Sequence, residues 1–240
     1  MAANKFFSNT LFAFLLAGSC AAAHADQIVQ VNLEKLLNAR VIITQKEGQL
    51  QLADHALDNG GSILITKAAA EVSGAGQLNP LPSSSLIAAD GRHPEVKLHY
   101  ADGDGGPQVC RISAHEETIA CPVPANHYTQ MQACFISAAG PTPIVVTLHY
   151  ADGSASQRTT RVPDFYFLPG QSDTQWFVLV ADFGKVDAKG HKTEANHHYI
   201  HGFDLNPDAG KILQSVEIHK EPSGSVLNLF ALTGTVQPVQ

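Results

Sequence analysis

The sequence predicts an all-β protein, an antiparallel sandwich or barrel, and three observations carry that expectation. The first is a phrase that occurs twice: Leu98-His99-Tyr100-Ala101-Asp102-Gly103 returns as Leu148-His149-Tyr150-Ala151-Asp152-Gly153. Each copy ends a run that alternates apolar and polar residues, with Val96, Leu98 and Tyr100 in one and Val146, Leu148 and Tyr150 in the other. Alternation followed by Asp-Gly reads as a strand entering a hairpin turn, because glycine tolerates the positive φ of tight turns. The second observation is the number of such runs, roughly a dozen short ones separated by Gly, Pro and Asp, which is the pattern of sandwiches and barrels. The third is the near absence of amphipathic helix. One sheet must bury its apolar face against another layer, so two packed sheets or a closed barrel are required.

The elements follow in order. Gln27 to Leu33 reads as a first strand, then a short helical or irregular piece at Glu34 to Leu37, then a strand from Val41 to Thr44. His55 to Ser62 is a turn-rich loop, and Ile63 to Thr66 a brief apolar strand. Ser73 to Pro94 holds Pro80, Pro82 and Pro94. Each proline removes a ladder donor, so a long surface loop is expected there. The repeated phrases predict two hairpins, with return strands at Gln108–Ile112 and Gln157–Val162 and a further strand from Tyr128 to Ser137 between them. Gln175 to Val180 is an apolar strand with the only tryptophan, Trp176, and Ala181 to Asn196 is a polar excursion. His197 to Leu205, Ile212 to Ile218 and Val226 to Thr235 close the chain as three more strands.

The ends and the composition bound the setting. Residues 1–25 read as a signal peptide, with Lys5 as the positive start, Leu11 to Ala17 as the apolar stretch and Ala23-His24-Ala25 as the cleavage site. Lipidation through Cys20 is the alternative, although no leucine stands three positions before it. A periplasmic or secreted protein beginning at Asp26 is expected, with residues 26–240 as one domain. No later stretch is apolar for long enough to suggest a membrane span. The whole chain carries 15 Lys and Arg against 22 Asp and Glu, a net charge of −7; loss of Lys5 with the leader lowers it to −8. Clustered cations are missing, which argues against nucleic acid as a partner.

Three cysteines follow the leader. Folding the chain about His115-Glu116 puts Cys110 opposite Cys121, and facing residues of an antiparallel pair can lie within disulfide range. Export would permit the bond. Cys121 with Cys134 is the competing pair, and three buried thiols acting as small hydrophobes is the third possibility.

The order of phrases along the chain carries a family resemblance. Tyr128-x-x-Met131 leads to Phe135-Ile136-Ser137-Ala138-Ala139-Gly140. Val146-Thr147-Leu148-His149-Tyr150-Ala151-Asp152-Gly153-Ser154 then runs into Val162-Pro163-Asp164-Phe165. Leu205-Asn206-Pro207-Asp208, Lys211-Ile212-Leu213-Gln214-Ser215-Val216 and Leu229-Phe230-Ala231-Leu232-Thr233 close the series. This resembles the galactose-binding-like jelly-roll domains appended to secreted bacterial glycoside hydrolases. The resemblance implies a two-sheet antiparallel β-sandwich of jelly-roll type and a non-catalytic carbohydrate-binding role, with a glycan or polysaccharide as partner; no cofactor is expected. Phe165 stands where the family's Asp-Trp pair would place tryptophan, and no hydrolase domain accompanies the chain.

Candidate ligand contacts are few. Sugar binding needs an aromatic face for the C–H side of a ring and polar groups for its hydroxyls. Asp164, Tyr166, Asn196, His198 and Tyr199 supply these parts, and Trp176 either joins them or lies in the core. The run His191 to His201 is rich in histidine. On a strand, however, His197 and His201 are about 13 Å apart, too far to share one zinc ion, so no metal is expected. No catalytic residue is assigned: there is no Gly-x-Ser-x-Gly and no His-Glu-x-x-His. A jelly-roll lyase or hydrolase would need Arg, His and Tyr to converge, and none of Arg40, Arg92, Arg111, Arg158 and Arg161 lies in a His-Tyr strand. A structural or protein-interacting envelope domain is the other alternative; the sequence names no protein partner.

Overall fold

The computed structural model describes residues 26–100, 105–170 and 174–236. The leader expected at residues 1–25 lies outside these, as does the first Ala101-Asp102-Gly103 turn. In chain order the elements are β1 (Gln27–Gln30), β2 (Ile42–Lys46), β3 (Gln49–Gln51), β4 (Leu64–Ile65), α1 (Lys67–Ser73), β5 (Leu86–Ile87) and β6 (Val96–Lys97). The middle supplies β7 (Cys110–Ile112), β8 (Glu117–Asn126), β9 (Tyr128–Ala138), β10 (Thr142–Tyr150) and β11 (Ala155–Val162). The chain closes with β12 (Trp176–Val186), β13 (Lys192–Asp204), β14 (Leu213–Lys220) and β15 (Val226–Val236).

Two antiparallel sheets make an all-β sandwich. The central sheet runs β1-β15-β9-β13-β12, with β7 also on β15, and the outer sheet runs β11-β10-β14-β8. Their facing sides enclose one core, in which Met131, Phe135, Trp176, Phe203 and Leu229 meet Ile144, Leu148, Val216 and Ile218. The central sheet is covered on its other side as well. Val41, Ile42, Leu57, Leu81, Val96 and Leu98 from the first hundred residues pack there against Ile136, Phe183, Ile200 and Phe230. Burial on both faces explains why β15 reads as a nearly continuous apolar run, buried at every position, rather than as an alternating one. Trp176 is a core residue, 5% exposed, and its indole N–H donates to Thr160 Oγ1 at 3.1 Å.

The second copy of the repeated phrase forms its hairpin. β10 pairs with β11 from Thr142↔Val162 to His149↔Ala155. In the turn, Gly153 adopts φ 80°, and Asp152 Oδ1 accepts from the Ser154 N–H at 2.9 Å. Among the described residues, the two strands flanking the first copy do not pair with each other. β6 pairs with β5, and β7 pairs with β15. The reason lies at Gln108, whose buried side chain takes the place of a strand against β2. Its Oε1 accepts from Val41 and Ile42 N–H, and its Nε2 donates to Ile42 C=O. The return segment is thereby held by the N-terminal layer.

The same divergence separates the cysteines. Cys110 pairs with Leu229 in the central sheet, whereas Cys121 pairs with Val216 in the outer sheet. The expected hairpin at His115-Glu116 is instead a crossing between sheets. Buried Lys220 clasps it, its ammonium donating to the carbonyls of Ala114, His115 and Ser223 at 2.8, 3.0 and 3.1 Å. Cys134 lies in the core on the opposite face of the central sheet. All three thiols are free and buried, so neither expected disulfide forms. One helix escapes the sequence reading. Thr66 caps α1 by accepting from Ala69 N–H, and Gly74 ends it in the left-handed region.

Two outcomes follow from this packing. Truncating a fully buried phenylalanine costs about 3–5 kcal/mol. Phe135→Ala on the inner face and Phe230→Ala on the outer face are therefore both expected to fall in that range in urea unfolding; a near-neutral Phe230→Ala would mean the outer face is open. Burial also raises the Cys110 thiol to about 11 and the Cys121 thiol to about 12, and raises that of Cys134 as well. A chain beginning at Asp26 should show no thiol reactive toward Ellman's reagent when native and all three after unfolding, with or without prior reduction.

Candidate functional site

The polar excursion expected at Ala181 to Asn196 is a long β-hairpin. β12 and β13 pair from Trp176↔Phe203 to Val186↔Lys192 through several register shifts, turning at Asp187, whose Oδ1 accepts from Lys189 and His191 N–H. Each such shift inserts residues on one strand and twists the ribbon. Beyond His201↔Phe135, β13 parts from β9, and the segment after β11 enters the gap. Phe165 N–H donates to Ser137 C=O and Phe165 C=O accepts from Tyr199 N–H, both at 2.8 Å, so the Phe165 backbone bridges the two strands. Asp164 fixes the same segment, its carboxylate accepting from Gly140 N–H at 2.7 Å and Tyr166 N–H at 3.0 Å. His201 adds a third anchor, its Nε2 donating to Phe167 C=O at 2.9 Å.

This scaffold presents Tyr166, Phe167 and Leu168, which are 38%, 66% and 61% exposed. Behind them lies a charged network. Lys185 donates to the Tyr166 hydroxyl and sits 3.2 Å from Glu194 Oε2, and the Tyr166 hydroxyl donates to that same oxygen at 3.2 Å. Lys185 and Glu194 are cross-strand partners on β12 and β13. The Lys185 ammonium also stands over the Tyr166 ring, 4.8 Å from its centre. Burial raises the Glu194 carboxyl, but the bonds from Lys185 and Tyr166 and the nearby His198 outweigh it and leave it below its ordinary value. Burial likewise lowers Lys185, and its two partners reverse that.

Of the five ligand contacts expected from sequence, the structure gathers Tyr166 and His198 and gives them different parts. His198 is fully buried, between the rings of Phe165 and Phe183 and at the edge of Tyr166. Its Nδ1 donates to Phe183 C=O at 2.8 Å, which turns the bare Nε2 toward Glu194 at 3.5 Å. It is a wall of the site, as Asp164 is a brace. Tyr199 is half-buried and contributes its backbone, and Asn196, half-buried on β13, makes none of these contacts. Sequence reasoning missed Lys185 as a partner of Glu194 and missed Phe167. The Asp187-x-x-Gly190 turn sets Val186 across from Lys192, and a further shift of register then brings Lys185 across from Glu194, which no local signal reports.

Among the described residues no group of three His, Cys, Asp or Glu side chains is placed to hold a metal ion, and no helix is long and apolar enough to cross a membrane. No protein-family model matches the chain, and no curated protein matches it either.

The buried imidazoles give the fold a pH dependence. Burial holds both His198 and His201 below the ordinary imidazole value, against the opposing pull of their carbonyl partners and nearby carboxylates. The unfolded chain takes up these protons near pH 6.5, and the folded chain resists them. Stability is therefore full above that pH and declines as pH falls through it. Urea midpoints measured from pH 8 to about 5 should drop below about 6.5, and His201→Gln should show a shallower drop; a midpoint that rises on acidification would contradict this.

Proposed function

We propose that the protein is an exported, non-catalytic carbohydrate-binding β-sandwich of the galactose-binding-like type, taking a sugar at the Tyr166–Phe167 tip. The observation that carries this reading is a pair of exposed aromatic rings on a segment braced at three points, set beside a lysine–glutamate pair. An aromatic face suits the C–H side of a pyranose, and an ammonium, a carboxylate and a phenol can fix its hydroxyls. The leader-like first 25 residues and the resemblance of the later phrases to secreted sugar-binding domains support the same reading. A contact with a protein of the cell envelope is the second reading, favoured by the adjacent exposure of Phe167 and Leu168.

Calorimetry against a panel of neutral and acidic polysaccharides is expected to show saturable binding. Tyr166→Ala and Phe167→Ala should each weaken it at least about tenfold, or about 1.4 kcal/mol, and Phe167→Ala should leave the melting temperature nearly unchanged. Flat responses across the panel would remove the sugar reading. A partner captured by the wild type and lost with Phe167→Ala would then favour the second.

A further inference from the structure

The two sheets part at one margin of the sandwich, and a cation sits in the opening. β11 is the last strand of the outer sheet and bonds only to β10. Arg158 pairs with Val146 and Thr160 with Ile144, partners that belong to the core, so these two side chains point between the sheets. A cavity of about 120 Å³ lies there, lined by Val146, Leu148, Arg158, Phe203, Leu205 and Asn206, among others. Arg158 Nη1 is shut off from solvent, and among the described residues no group accepts a hydrogen bond from it. Among the described residues its guanidinium has no carboxylate in ion-pair range. Asp152, six residues before it in the chain, is already paired with Lys211 at 3.2 Å.

A guanidinium half-withdrawn from water without a counter-charge is costly. We propose that this opening is a carboxylate-binding site, with Arg158 as the recognising group. A guanidinium fork matches a planar carboxylate in two parallel hydrogen bonds. The apolar walls from Val146, Leu148, Phe203 and Leu205 suit a short carbon stem, and Asn206 offers an amide at the rim. A phosphate would leave several charged oxygens against those walls, and a neutral sugar would leave the cation unmatched. The ligand class is therefore a small organic acid or the carboxylate of an acidic sugar. The site shares no lining residue with the Tyr166 tip and does not depend on the reading given to it.

The test is an NMR titration of the folded chain with acetate, galacturonate, inorganic phosphate and glucose at constant ionic strength. Acetate should move the Arg158 Nε–H resonance and the amides of residues 156–158 and 203–206 along a saturable curve. A response to galacturonate as well would extend the site to acidic sugars, and a response to acetate alone would restrict it to small acids; both support a carboxylate site. Arg158→Gln should weaken the acetate response at least about tenfold, and Arg158→Lys should fall between, because lysine keeps the charge and loses the fork. No shift at Arg158 in the wild type, an equal or stronger response to phosphate, or an undiminished response in a folded Arg158→Gln would overturn the proposal.

Discussion

The two middle strands of the central sheet, β9 and β15, have no solvent face, and most of the architecture answers to that. β9 and β15 are buried along nearly their whole length, so each polar side chain on them needs a partner inside the protein. Those partners join the layers. Asn228 donates to Leu57 C=O, Gln132 to Pro94 C=O, and Thr233 to Gln30 Oε1. Gln30 in turn accepts from Lys97 N–H and donates to Glu95 C=O, holding β6 beside β1. Slipping either strand by one residue would strand these groups in the core. Register is thus fixed by polar contacts as much as by apolar packing.

Where a sequence signal and the burial requirement agree, the fold was legible. β9, β10, β14 and β15 each combine an apolar or alternating run with a turn signal, β11 follows the Asp152-Gly153 turn, and each lies where those signals put it. Legibility failed where the decisive contact is distant in sequence. The two copies of the Leu-His-Tyr-Ala-Asp-Gly phrase are identical, yet among the described residues only the strands flanking the second pair with each other. In the first, Gln108 bonds to Ile42, 66 residues away, and no local pattern reports that. Cys110 and Cys121 were misplaced for the same reason, since the register that faces them ignores the crossing clasped by Lys220.

The candidate site shows the same division. Aromatic residues after Val162-Pro163-Asp164 were visible, and so was a histidine-rich polar stretch near residue 198. Which of them would face solvent was not, because the irregular β12–β13 ribbon breaks simple alternation: Asp182 and His197 both take positive φ. That twist turns His198 inward under Tyr166 and brings Lys185 and Glu194 to the surface. A segment that bridges two parting strands also moves only as they move, so the aromatic tip inherits the rigidity of the sheet.

The free margin of the outer sheet bears on how copies of this chain meet. β8 bonds to β14 alone, and it carries Pro122 and Pro124 two residues apart. Proline on an edge strand turns its nitrogen to the open side, where it has no hydrogen to give. An incoming strand laid along β8 would find two consecutive donors absent from the ladder and pyrrolidine rings in their place. Growth of the sheet from molecule to molecule is blocked on that side, so a concentrated population of these sandwiches has one fewer route into fibrous aggregates.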